Sequence, residues 1–454
     1  MRRMLLGLMI LFIMCVSSYP QQALPTQSDE LENIAKEFVN LLAQENFSAA
    51  VKTFDATMSA VMPPKTLQET WTSLIKQVGI FKKQISTRKE KYQQYNFVFV
   101  TCQFERATLD IKIVFDSNKK VAGLFFVPSQ PSYSYPPPPY AKPDSYKETD
   151  VIVKSGKWNL PGTLTIPNGK GPFPAVVLVH GSGPQDRDET IGPNKPFRDL
   201  AFGLASNGIA VLRYEKRTKQ YAKLLAQMQE SITVNEETIE DVLFAVALLR
   251  EMSSIDRDRI FVLGHSLGGM LIPRIGQKDT RIAGFIIMAG TSRPFEDVVL
   301  EQFKYIFSLD NRIDGDEQKQ LDQLEHQVAL VKSQNLLKET ASDMLPLGVP
   351  ASYWLDLRGY DPAKEAASLK IPILILQGQR DYQVTMDDYK RWENSLSSRQ
   401  NVQFKLYPTL NHLFINGLGR IEPAEYEKAG YVDKVVIDDI SNWIKSFNQS
   451  KASK

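Results

Sequence analysis

Cysteine, histidine, net charge and long apolar runs are all scarce in this chain, and each scarcity closes off a class of function. Of 454 residues, two are cysteine and four are histidine. Once Cys15 leaves with an N-terminal leader, Cys102 stands alone; no intrachain disulfide can form, and core burial has to carry the stability. Lysine and arginine total 54 against 52 aspartates and glutamates, a net charge of +2, with no block of one sign to hold nucleic acid or an anionic surface. The apolar run from Leu5 to Val16 is 12 residues, short of the ~20 that a spanning helix needs. Arg2 and Arg3 precede it and Val16-Ser17-Ser18 closes it, so residues 1–18 read as a signal peptide for a secreted or periplasmic protein with no stable membrane span after cleavage. Lipid attachment at Cys15 is disfavoured, because Phe12-Ile13-Met14 lacks the small residue such processing uses. What remains is an ordinary globular composition, 43% apolar and 23% charged, long enough at ~100–200 residues per domain for two or three units.

From Ser28 the apolar residues Leu31, Ile34, Phe38, Leu41 and Leu42 recur at helical spacing, and "LQETWTSLIKQVG" continues the helical pattern. The period then changes to two in "NFVFVTCQF", "ATLDIKIVF" and "KVAGLFFV", which predicts antiparallel strands with Cys102 on the apolar face beside Val98, Val100 and Phe104. Residues 28–128 therefore read as a small α+β domain. Proline and tyrosine replace periodicity over 129–146, the signature of an extended, semi-rigid linker. Beyond it, over 147–448, apolar strand runs alternate with amphipathic helices: "TDVIV", "LPGTLTI", "PAVVLVH", "GIAVLRY", "RIFVL", "AGFIIMAG", "IPILILQG" and "VQFKLYP". Eight such runs predict an α/β fold, a mostly parallel, doubly wound sheet opened by a hairpin. Residues 295–362 interrupt the alternation with helical material, including Leu321, Leu324, Val328 and Val331, where a lid over a site would lie, closed by the bulky Tyr353 and Trp354.

Between the strand "RIFVL" and the helix "LGGMLIPRI" stands GHSLGG. A G-x-S-x-G turn in that context holds its serine in a strained conformation at the sheet's edge, so Ser266 is the candidate nucleophile. A serine hydroxyl needs a base, a group to hold the base, and donors for an oxyanion. The four histidines narrow the base. His180 ends an early strand, His265 adjoins the serine and should point away from its hydroxyl, and His326 lies on the polar side of its helix. His412, directly after the last strand, remains. Asp381 follows the preceding strand and suits the acid, with Asp361 as a competitor that reads better as a helix cap before Pro362. Oxyanion donors should be the amide of Leu267, at the helix start, and the amide of Ser182 in "HGSGPQDRDE", with Gly181 next in line. Asp186, Asp188 and Glu189 have no histidine or cysteine cluster beside them, so they read as loop-ordering charge rather than a metal site.

The segments "HGSGPQDRDE", "RYEKR", "GHSLGG", "LQGQRDYQV" and "NHLF", in that order over residues 148–448, resemble the EstD-like carboxylesterases of the α/β-hydrolase superfamily, many of which carry a small α+β domain in front. The resemblance implies hydrolysis of short-chain acyl esters through an acyl-enzyme on Ser266, with Asp381 and His412 completing the triad, a small-molecule ester as partner and no cofactor. Thr218-Lys219 departs from the glycine that relatives tend to have after "RYEKR". Two other functions compete: a peptidase or thioesterase using the same triad, and a binding protein on a hydrolase fold that has lost its chemistry. The retention of all three residues argues against the second. Oligomeric state is not specified by any of these features.

Overall fold

The structure, a computed structural model, describes residues 29–92, 95–128, 135–226 and 232–447. The signal-peptide reading, Cys15 and the first part of the linker lie outside them. Two compact units divide the chain between residues 134 and 135.

In the first unit, helices Asp29–Ala43, Phe47–Val51, Ala56–Val61 and Pro64–Val78 precede four strands, β1 (Phe81–Tyr92), β2 (Tyr95–Phe104), β3 (Thr108–Phe115) and β4 (Val121–Pro128), paired antiparallel in that order. Phe38, Leu42 and Trp71 from the helices pack with Val98, Val100, Cys102, Ile111 and Ile113 from the sheet. Cys102 is fully buried, and burial followed by the Asp110 charge pushes its thiol up to about 12, so it is an inert core residue. β1 was not foreseen. Its sequence, FKKQISTRKEKY, is dense in charge because it is an edge strand, where lysines discourage pairing with another chain.

The second unit carries an eight-stranded sheet: β5 (Tyr146–Ser155), β6 (Trp158–Pro167), β7 (Phe173–Val179), β8 (Ala210–Tyr214), β9 (Ile255–His265), β10 (Gly284–Met288), β11 (Ile373–Gly378) and β12 (Val402–Tyr407). Its order is β12-β11-β10-β9-β7-β8-β6-β5. β5 and β6 form the antiparallel hairpin, β6 pairs antiparallel with β8, and the rest are parallel. Alternate side chains of β7 serve opposite faces: Val177 and Val179 join Val242, Leu249 and Leu271, while Val176 and Leu178 join Phe197, Phe261 and Ile440. A strand buried on both faces must be apolar throughout, which is why these runs are continuous rather than alternating.

Residues 135–146 are packed, not suspended. The Tyr135 hydroxyl donates to Asp199 at 2.8 Å, the Tyr140 hydroxyl donates to the Val432 carbonyl at 2.7 Å, and Tyr146 begins β5. The proline-rich composition suits an extended strap across the helix Pro196–Ser206 as well as a free spacer. Tyr135→Phe should lower the stability of this unit by about 1–2 kcal/mol, because Asp199 stays buried and keeps the Val432 amide but loses the hydroxyl donor. The midpoint of urea unfolding reads that effect, and an unchanged midpoint would put the strap outside the cooperative unit.

Candidate active site

Four parallel strands, β7, β9, β11 and β12, end at one edge of the sheet, and Ser182, Ser266, Asp381 and His412 lie just beyond those ends, one after each. Ser266 follows β9 and caps the helix Leu267–Lys278 with φ 53° and ψ −117°, a conformation that costs a non-glycine residue on the order of 1–3 kcal/mol. Its amide donates to the Met288 carbonyl at 3.0 Å, which ties the turn to β10. The turn closes only because Gly264 has no side chain: a Cβ there would lie 2.3 Å from the Gly268 carbonyl oxygen.

Asp381, in the loop after β11, accepts the backbone N–H groups of Gln383 (2.7 Å) and Val384 (3.0 Å) on Oδ1. Its Oδ2 lies 2.7 Å from His412 Nδ1. Both side chains are buried. A carboxylate at Nδ1 holds the proton there and leaves Nε2 as the basic nitrogen. Asp361 is elsewhere: it caps the helix Pro362–Ser368 through the Lys364 amide and pairs with Arg391.

Ser182, Ser266 and Leu267 line one small cavity of about 50 Å³ with Thr291, Phe295, Val298, Val299, Gln302, Phe303, Leu347, Gln383 and Val384. Gly181 runs against the serine, since a Cβ on it would stand 3.2 Å from Ser266 Cβ. The insertion does reach the cavity, but through the helix Phe295–Phe307 and Leu347. Leu324, Val328 and Val331, together with Tyr353 and Trp354, do not line it but pack in the main hydrophobic core, and Leu321 is buried on the same helix. The apolar face of Gly315–Lys332 is spent on holding the insertion together.

The remaining histidines have other partners. His326 is exposed. His180 is buried, donates through Nε2 to the Asp186 carbonyl at 3.0 Å, and is pushed down to about 4 by burial, so it stays neutral. His265 faces away from the cavity: Nε2 lies 2.9 Å from the His412 carbonyl, and Nδ1 lies 2.9 Å from Glu189 Oε2, close enough for an ion pair although off the line of a straight hydrogen bond. Burial alone would lower the His265 pKa, but the Glu189 carboxylate outweighs it and holds the imidazolium above its ordinary range. Burial would likewise raise Glu189, and His265 holds it below the usual carboxylate range. Asp188 pairs with Arg213 and with Lys195, so the acidic loop is ordered by cations of this chain.

Two charges at this edge were not foreseen. Lys216 is only 2% exposed, donates to the Gly181 carbonyl at 2.8 Å and pairs with Glu237 at 2.9 Å. Their sequence context, a lysine in "RYEKR" and a glutamate in a helix start, looks like solvated surface. The one available signal was the position of Lys216 two residues past the strand Ala210–Tyr214.

Against known proteins, residues 172–418 match the family model described as "Serine aminopeptidase, S33", and residues 35–124 match "Protein of unknown function (DUF3887)". Over 412 residues the chain is 42% identical to Esterase EstD of Thermotoga maritima, with 90% of this chain and 93% of that protein covered. The chain belongs to the EstD-like family of α/β-hydrolases. Among solved structures, an esterase of Pyrococcus furiosus covers 69% of this α/β-hydrolase and 98% of its own chain at 16% identity and TM-score 0.43. Est1E from Butyrivibrio proteoclasticus covers 67% and 99% at 14% identity and TM-score 0.42.

Proposed function

We propose that the protein is a serine carboxylesterase for short-chain acyl esters, exported by the leader at 1–18. The observation that carries this reading is the Asp381–His412 hydrogen bond at 2.7 Å, in a loop whose Gln383 and Val384 line the same cavity as Ser266 on its strained turn, in a chain 42% identical to Esterase EstD. Ser266 Oγ attacks the ester carbonyl while His412 Nε2 takes its proton, and the carbonyl oxygen becomes an oxyanion facing the Ser182 and Leu267 amides. Collapse of this intermediate passes the proton to the leaving alkoxide and leaves an acyl group on Ser266. Water, deprotonated by the same imidazole, attacks the acyl-enzyme, and the proton returns to Oγ as the acid leaves. Asp381 stays ionised throughout, holding the imidazole and stabilising its charged form.

The cavity favours a small acyl group. Phe295, Val299 and Phe303 close it from one helix, and each methylene beyond the space available must displace packed side chains. On p-nitrophenyl esters, kcat/KM should peak at about two to six acyl carbons, gaining at most ~0.8 kcal/mol per accommodated methylene, and fall for long chains. A maximum at long-chain esters would contradict the assignment. The peptidase alternative is answered by aminoacyl amides in the same panel. Among the described residues the cavity lining holds no carboxylate to take a substrate's free ammonium, so esters should be cleaved faster.

A further inference from the structure

We infer that Lys216 is a positioning residue for the oxyanion hole, acting through the peptide unit between Gly181 and Ser182. This rests on the esterase reading above and adds to it a part played by a buried charge that does not touch the substrate. The Gly181 carbonyl and the Ser182 N–H belong to one planar, trans peptide, so they point in opposite directions. Lys216 Nζ lies 2.8 Å from that carbonyl oxygen, on the side remote from the donor. Fixing the oxygen fixes the plane, and with it the direction in which the Ser182 N–H points. An ammonium on the oxygen also draws electron density through the amide, which makes the N–H at the other end a stronger donor.

The Gly181 residue is held on its other side as well. Its own N–H donates to Glu189 Oε1 at 2.7 Å, and Glu189 is 1% exposed, with φ 52° in the left-handed region that a glutamate adopts only at a cost. Glu189 Oε2 faces His265, whose Nε2 reaches the His412 carbonyl. One glycine next to the serine is thus gripped by a buried cation at its carbonyl and a buried anion at its amide. The cation has its own anchor: Glu237 pairs with it at 2.9 Å, and the Tyr353 hydroxyl from the helix Ala351–Leu357 donates to Glu237 at 2.8 Å. Burying an ammonium and a carboxylate that apolar side chains could replace is a poor route to stability alone. A role in aligning a donor whose loss typically costs roughly 10²–10³ in kcat accounts for it.

The test is Lys216→Met combined with Glu237→Gln, so that no buried charge is left without its partner. Rates are taken per active site, counted by the endpoint of fluorophosphonate labelling, so that misfolded chains do not enter. The expected result on p-nitrophenyl acetate is a fall in kcat of roughly 10²-fold with KM within about threefold, because the oxyanion forms only on the way to the intermediate. Inhibition by a short alkyl trifluoromethyl ketone, which Ser266 converts to an oxyanion, should weaken in parallel. A kcat within about threefold of the parent, or a loss shared with KM as general disruption would give, overturns the inference. Should the pair not fold, Lys216→Gln alone keeps a donor and loses the charge; at least about tenfold in kcat is then expected, and less than about threefold overturns it. If the unaltered enzyme hydrolyses no ester, the esterase reading itself has failed; normal turnover in both proteins sinks the clamp alone.

Discussion

Ser266→Ala is expected to lower kcat by roughly 10⁴–10⁶ while the folded chain and its affinity for ester change little. Removing one oxygen from a half-buried position opens no cavity in the core, so a large kinetic effect without a shift in melting temperature isolates chemistry from folding. The residual rate would come from the oxyanion donors and from binding, which hold the ester beside water even when no nucleophile is present. Near-normal turnover in the alanine variant would remove Ser266 from the mechanism and leave the strained turn without a purpose.

The second large effect belongs to the acid and the base. Asp381→Asn keeps the shape of the loop but offers His412 Nδ1 either an amide donor or a weaker acceptor, so the imidazole can settle in the tautomer whose Nε2 already carries a proton. The expected loss is up to ~10⁴ in kcat with KM nearly unchanged. His412→Ala should lose as much, since it removes the imidazole that Asp381 holds. A His180→Ala control should lose far less, because His180 is already neutral, with its pKa at about 4, and its Nε2 is spent on the Asp186 carbonyl. An unaffected Asp381→Asn enzyme would contradict the pairing, and Asp361, capping its helix and paired with Arg391, is not placed to replace it.

The central sheet was legible because a strand covered on both faces has to be apolar at every position, and the order of the runs then fixes which loops meet at one edge. Asp381 and His412 were readable as neighbours for that reason: each follows its own strand directly, and β11 and β12 pair in parallel. β1 was illegible because an edge strand protected by lysine carries no apolar alternation to detect. The packing of 135–146 was not legible because extended proline-rich chain looks the same whether packed or free; only the tertiary partners of Tyr135 and Tyr140 distinguish the two. Lys216 and Glu237 were hidden for a deeper reason. A charged residue reads as solvated unless its counter-ion is known, and these two are each other's partner across separate elements of the chain.

The central claim is that one serine, Ser266, carries the acyl group, and the most direct measurement is mass spectrometry of the protein after reaction with a fluorophosphonate. The account predicts one adduct per chain, located on the peptide that contains Ser266, formed in step with loss of esterase activity and absent from Ser266→Ala. An adduct on another residue that tracks the loss of activity, or full activity in a protein whose Ser266 is quantitatively modified, would contradict it.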